Sequence, residues 1–360
     1  MMGLDRREFV ALALAPRRRW RVAVIGHTGR GNYGHNVHAA FRTAPAAEVV
    51  AVADPVEAGR LKAISDSGAR KGYADYREML REEKPDIVAI CPRWLDQRVE
   101  MVRAVSGAGA HVLMEKPLAA TLKEGDEVLR AMGDRKLQLC HTAGLAPATV
   151  EALRLIREGA IGEVLEIRSR GKEDRRAGGE DMMTLGTHCF DLMRRIAGDP
   201  VRCSAKVVGP RKEPGEPIGP VAGDSITAAF EFPSGVTGHF ASQKNGGPPA
   251  QRFGVTVFGS AGAMDFPLGD IPNHVWMTRS PSWRGEWRKI EPPGTPVSTQ
   301  GEMMAMMAQD LIAAIEANRQ PACSARDGLW TLEMVQAVYA ASISGRPVAL
   351  PLEDRRHPLL

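Results

Sequence analysis

Four short apolar runs, each stopped by a residue that ends a strand, constrain this chain more than any other feature. Arg21-Val22-Ala23-Val24-Ile25 meets Gly26, and Glu48-Val49-Val50-Ala51-Val52-Ala53 meets Asp54. Asp86-Ile87-Val88-Ala89-Ile90 meets Cys91-Pro92, and His111-Val112-Leu113-Met114 meets Glu115-Lys116-Pro117. Near-continuous apolarity marks strands covered on both faces, as in a parallel sheet. The stretches between them, including 56–71, 73–80 and 99–107, read as helices. Such alternation builds a doubly wound parallel sheet. Right-handed crossovers bring its strand ends to one rim. Gly26, Asp54, Cys91, Pro92, Glu115 and Lys116 therefore face one crevice, where open α/β sheets take their ligands.

The first turn identifies the ligand class. Gly29, Gly31 and Gly34 have the dinucleotide fingerprint spacing, with Gly26 as an extra glycine directly after the strand. Glycine lets the backbone approach a pyrophosphate, and residues 35–41 read as the start of the helix whose N-terminus would face it. Asp54 lies about 20 residues beyond Gly34, the offset of a carboxylate that binds the ribose hydroxyls of NAD. A carboxylate there repels a 2′-phosphate and favours NAD. Arg30 works the other way and keeps NADP as the alternative.

The 360 residues accommodate two domains. We divide them into a basic tail over 1–19, a nucleotide-binding domain over 20–140 and a second, α+β domain over 141–360. In the tail, Arg6-Arg7 before the apolar stretch 9–15 resembles a degenerate twin-arginine signal. The apolar part is short and Arg17-Arg18-Arg19 follows at once, so a cytoplasmic location is expected, with periplasmic export as the alternative. The five cysteines are widely spaced and include no Cys-x-x-Cys, which argues against a disulfide framework or zinc site. No metal is expected. A net charge of +4 with scattered arginines and four tyrosines gives no basic-aromatic surface for nucleic acid. No apolar run reaches membrane-spanning length.

In the second domain, 147–158 reads as an amphipathic helix and 164–169 as an alternating strand. Gly178-Gly179-Glu180-Asp181 then reads as a turn with capping residues, and a helical stretch follows it to Ala197. Spacings of three and four place Thr184, His188 and Asp191 on one face, with Asp181 extending the row. A histidine titrating near 6.5 can take and return a proton at neutral pH. From residue 200 onward the pattern is β-rich, through 202–208, 226–232, 236–242, 252–258 and 263–266. Trp276, Trp283 and Trp287 fall on a last hairpin and suit sheet-face packing or a subunit interface. The methionine-rich helix over 303–317 suits core or inter-domain packing.

Taken together, the glycine loop, Asp54, Pro92 and Glu115-Lys116-Pro117 resemble the Gfo/Idh/MocA oxidoreductases. Two later stretches carry the resemblance further: Leu185-Gly186-Thr187-His188-Cys189-Phe190-Asp191, and 323–328 with 345–348. The resemblance implies a Rossmann domain followed by an α+β domain with a large, open, mostly antiparallel sheet. It implies hydride exchange between nicotinamide and a sugar, cyclitol or related polyol. Lys116 would stand beside the reacting carbon and His188 would act as acid/base, with Asp191 and Thr184 holding substrate hydroxyls. Gly26, Gly29, Arg30, Gly31, Gly34, Asp54, Cys91, Pro92 and Glu115 would bind the cofactor. A homo-oligomer, dimer or tetramer, would form through the open sheet. There are departures. Thr184 stands where members of the inositol dehydrogenase type carry an aspartate, Asp96 stands near the place of a histidine, and Ala143-Gly144-Leu145 replaces polar substrate contacts. These leave two rival readings: a glycoside hydrolase that retains its NAD, and a non-catalytic nucleotide sensor.

Overall fold

The computed structural model describes residues 19–244, 253–269, 274–280, 282, 285–294 and 297–360. The basic tail before Arg19, and Trp283, lie outside the described residues. Strands β1 (Trp20–Ile25), β2 (Ala47–Ala53), β3 (Lys71–Tyr73), β4 (Ile87–Ile90), β5 (His111–Met114) and β6 (Leu137–Leu139) form a parallel sheet. Their order is β3-β2-β1-β4-β5-β6, the Rossmann arrangement, which reverses between β1 and β4. Ile25 pairs with Ile90 and Ile90 with Met114. Gly26, Cys91 and Glu115 therefore leave the sheet at one level.

The helix expected from residue 35 does not form. Only a 3-10 turn appears, at Val37–Ala39. Asn32 and Asn36 sit at φ 50° and 63°, left-handed positions that interrupt a right-handed path. The sheet face is covered from elsewhere. The methionine-rich helix Gln300–Glu316 starts at a capping box of Thr299 and Glu302. Its Met304, Met307, Leu311 and Ile312 share one core with Val22, Val24, Phe41 and Leu113. The nucleotide-binding domain thus borrows a helix from beyond residue 141, and a boundary at 140 does not separate two cores.

The second sheet is built from β7 (Val164–Arg170), β8 (Arg202–Val208), β11 (Ser225–Glu231), β12 (Thr237–Gln243), β13 (Gly254–Gly259), β14 (Ala263–Pro267), β15 (Val275–Thr278), β16 (Arg288–Ile290) and β17 (Val348–Ala349). The short β9 (Arg211–Lys212) and β10 (Val221–Ala222) pair separately. The order is β16-β15-β14-β13-β7-β12-β11-β8-β17, and among these pairings only β7–β12 is parallel. Alternation decides its faces: Ile226, Ala228 and Phe230 are buried, while Thr227 and Glu231 between and beyond them are exposed. Helix Thr187–Ala197 lies on the buried face. Its Phe190 packs edge-on to Phe230 and tilted against Phe240, with centroids 5.4 and 5.0 Å away. Each buried phenylalanine stabilises this docking by about 2–3 kcal/mol. That anchoring fixes where the neighbouring His188 points. Among the described residues no helix is long and apolar enough to cross a membrane.

Candidate active site

At the end of β5 a buried acidic-basic pair is held from three directions. Glu115 accepts from the His35 backbone N–H at 3.1 Å and lies 3.1 Å from its Nδ1. Burial alone would raise this carboxyl, but His35 and Lys116 outweigh it and hold it at about 2. From below, Arg98 donates to the carbonyls of Glu115, Pro117 (2.9 Å) and Pro92 (2.7 Å). One fully buried guanidinium thereby ties the end of β4 to the end of β5. From above, Gly34 presses on both: a Cβ there would lie 2.6 Å from Glu115 Oε2 and 2.7 Å from the Cys91 carbonyl.

Lys116 is buried and its Nζ donates to the carbonyl of Thr184 at 2.5 Å. That carbonyl belongs to a π turn, Met182–Gly186, which runs directly into helix Thr187–Ala197. The wider π turn redirects a backbone carbonyl out of the ordinary i to i+4 ladder, a device frequent at functional sites. Here it supplies a backbone anchor for the lysine. The Thr184 hydroxyl itself donates back to the Glu180 carbonyl at 2.7 Å. Burial lowers the Lys116 ammonium below its usual range, with Arg176 and Arg93 adding to the effect and Glu115 opposing it. Four residues later His188 lines the same cavity as Lys116, together with His35, Lys172, Thr142 and Gln300; its volume is about 360 Å³. Its ring is partly exposed while Nδ1 is sealed and, among the described residues, without a partner, so the Nε2 edge faces the cavity. Burial, then the neighbouring His141, Lys116 and His35, drive its proton affinity well below the ordinary value.

Not every residue singled out in the sequence arrives here. Asp191 does not reach the cavity: it is buried and ion-paired to Arg195 at 2.7 Å, so it offers no free oxygen to a substrate hydroxyl. Asp181 is also buried, capped by the Ser242 hydroxyl at 2.6 Å and the Glu173 N–H at 3.0 Å. Asp54 is placed at the rim as expected but faces inward. Its Oδ2 accepts from Thr28 N–H (3.0 Å), Thr28 hydroxyl (2.7 Å) and Tyr33 hydroxyl (2.7 Å), and its Oδ1 from Val56 N–H (2.9 Å). These bonds engage both carboxylate oxygens and lock the glycine loop to β2. Arg30 is paired with Asp96 and stacked 4.9 Å over Trp94. Arg98, His35 and His141 join the site without a sequence signal. A lone arginine at a helix start and lone histidines carry no spacing pattern.

The family description "Oxidoreductase family, NAD-binding Rossmann fold" matches residues 20–142, and "GFO/IDH/MocA C-terminal domain" matches residues 149–265. The chain belongs to the Gfo/Idh/MocA oxidoreductases. A D-apiose dehydrogenase of Paraburkholderia graminis is 26% identical over 392 residues, spanning 99% of this chain and 97% of that protein. Glycosyl hydrolase family 109 protein 1 of Akkermansia muciniphila is 29% identical over 156 residues, but that match spans only 40% of this chain and 32% of that protein. Among solved structures, levoglucosan dehydrogenase in complex with NADH and levoglucosan superposes with a TM-score of 0.79 at 20% identity, covering 93% of this chain and 100% of that one. Residues 20–142 are thus this family's NAD-binding domain, and its residues fit that cofactor. Gly29, at φ 80°, leaves open space beside an accessible backbone. Gly31 abuts the Arg93 and Trp94 amides at 2.5 and 2.6 Å from where a Cβ would lie, so only glycine keeps the loop low on the strand ends.

Proposed function

We propose that this protein is an NAD-dependent dehydrogenase of a sugar, cyclitol or related polyol. The observation that carries the reading is Lys116 and the open edge of His188 lining one cavity beside the end of β5. When bound, nicotinamide accepts the hydride from a carbinol carbon or returns it to a carbonyl. The chain's own residues manage the proton and the charge. Lys116 spends one donor on Thr184 and keeps two for the reacting oxygen. His188, neutral at physiological pH, takes the hydroxyl proton as the hydride departs. With an uncharged residue at 184, the positive field of Lys116 is not offset at that position, which favours a developing alkoxide. The sugar dehydrogenases among the relatives support the substrate class.

In this reading Glu115, Gly29, Gly31 and Gly34 shape the cofactor's bed, and NADP is the weaker partner. The open face of the second sheet, carrying Arg168, Thr227, His239 and Thr256, serves as the contact between copies of the chain. Light scattering of a dimer or tetramer fits that assignment, and a monomer at micromolar concentration contradicts it. The decisive test of function is a panel of sugars, cyclitols and polyols with NAD and NADP in separate arms, read by NADH or NADPH formation. Turnover preferring NAD is the expected result. Tight NADH binding with no turnover on any member, or aryl glycoside cleavage without net NADH, overturns the reading.

A further inference from the structure

Behind His188 lies a buried chain of polar groups that the reaction outlined above does not use. Arg195 Nε donates to Asp191 Oδ2 at 2.7 Å, and its other arm donates to the Ala322 carbonyl at 2.7 Å. The Cys323 thiol lies 3.8 Å from Asp191 Oδ1 and 3.4 Å from His141 Nδ1. The His141 ring meets the His188 ring edge to face, with centroids 5.1 Å apart and planes at 65°. His141 is fully buried. Among the described residues its Nε2 has no partner, and neither has the sealed Nδ1 of His188. Two buried imidazole nitrogens without partners, on rings in contact, are a costly arrangement unless they serve each other.

The protons along the chain have one consistent order. The carboxylate of Asp191, paired with Arg195, serves as an acceptor, and the Cys323 thiol donates to it. The sulfur then accepts from His141 Nδ1–H. His141 Nε2 is left as a lone pair on a ring that meets the His188 ring edge to face. Burial, with Lys116 and Arg195 adding to it, holds His141 down to about 4 against the pull of Asp191 and Glu115, so this neutral form prevails at pH 7. An acceptor behind His188 selects the tautomer with the proton on Nδ1, and that tautomer leaves Nε2 free on the cavity side.

We infer that His141 is a positioning residue that takes over the task of the carboxylate missing at 184, by holding His188 in the tautomer whose Nε2 accepts the substrate proton. The inference rests on the dehydrogenase reading for its kinetic consequence, though not for its structural one. The same His141, Asp191 and Cys323 atoms lie within 4.8 Å of one another, close enough to hold a cation. The Arg195 ion pair and the nearby Lys116 oppose a cation there, and Asp191, Cys323 and His141 Nδ1 are already engaged with one another and with Arg195.

The test compares His141→Phe and His141→Gln in the full chain. Phenylalanine fills the space without an acceptor, whereas the glutamine amide oxygen replaces it. His141→Phe is expected to lower kcat roughly 10- to 100-fold, a part of what a general base contributes. Substrate KM and NADH affinity are expected to stay within about threefold. His141→Gln is expected to recover most of kcat. A purely structural residue gives the opposite order, because phenylalanine suits an apolar wall better than an amide. Imidazole nitrogen NMR shifts of the NADH-bound protein read the tautomer directly. His188 is expected with its proton on Nδ1 in the wild type and in a mixture in His141→Phe. Unchanged kcat or an unchanged His188 tautomer in His141→Phe overturns the inference, as does one equivalent of tightly bound metal in the wild type. If the wild type turns over no sugar or polyol, the dehydrogenase reading fails, and the nitrogen shifts alone decide the role of His141.

Discussion

Replacing Arg98 by methionine keeps the length of the side chain and removes every donor. The consequence can be worked from three carbonyls. Those of Pro92, Glu115 and Pro117 lose their guanidinium partner in a region closed to solvent. Each unpaired buried acceptor costs about 1–3 kcal/mol. Against this, the variant escapes the several kcal/mol needed to desolvate a buried cation. That cost is visible in Arg98 itself, which burial pulls down to about 10 despite Glu115 nearby. The balance is a net destabilisation of about 2–4 kcal/mol, within a typical total of about 5–15, so the variant folds. Activity should suffer more than stability. The same three carbonyls fix the Glu115-Lys116-Pro117 turn, and a 1 Å displacement of a reacting group costs roughly 100-fold in rate. Urea denaturation followed by tryptophan fluorescence measures the first effect, and kcat at saturating NAD and substrate the second. Arg98→Lys, keeping the charge but not the fork, should fall between. An Arg98→Met protein with the wild-type denaturation midpoint and kcat would refute the reasoning.

Gly34→Ala puts a Cβ 2.6 Å from Glu115 Oε2 at φ 58°. We expect it to weaken NADH binding at least about tenfold by fluorescence titration while the chain stays folded. Lys116→Ala should abolish turnover and leave NADH affinity within a few-fold, and retained turnover counts against its assigned role. The pH profile of oxidation should lose its acid limb only well below 6.5, because burial and its cationic neighbours keep His188 unprotonated. Stability should also be pH-dependent with a defined sign. His141 is depressed from about 6.5 to about 4, so its contribution is complete above the first value and lost as pH falls through the second, on the order of 3 kcal/mol. Thermal melts across that window, shallower for His141→Phe than for wild type, check it.

The parallel sheet was legible because β1, β2, β4 and β5 are apolar enough to be read without their partners. Strands β3 and β6 were not: three residues each leave no period to detect, and Lys71-Gly72 is exposed. The glycine loop was legible as chemistry but misleading as geometry. Two left-handed asparagines end the expected helix, and only the distant helix Gln300–Glu316 shows what covers the gap. Lys116 and His188 stand out in the sequence because each sits in a dense local motif, and the structure brings both to one cavity. Asp191 was misplaced because helical spacing gives a face but not what packs on it. Arg195, one turn on, and Cys323, far along the chain, claim its oxygens. The π turn at Met182–Gly186 was invisible for a similar reason: its sequence is ordinary, and the Lys116–Thr184 contact that it makes joins two domains.

The central claim is that hydride passes between a carbinol carbon and nicotinamide at the Lys116–His188 cavity. Its most direct test uses a substrate found in the panel, deuterated at the carbon to be oxidised, and turned over with unlabelled NAD. Each turnover is expected to leave one deuterium on the nicotinamide ring of NADH, and Lys116→Ala to leave none above background. Deuterium recovered in solvent, or product formed without labelled NADH, would contradict it.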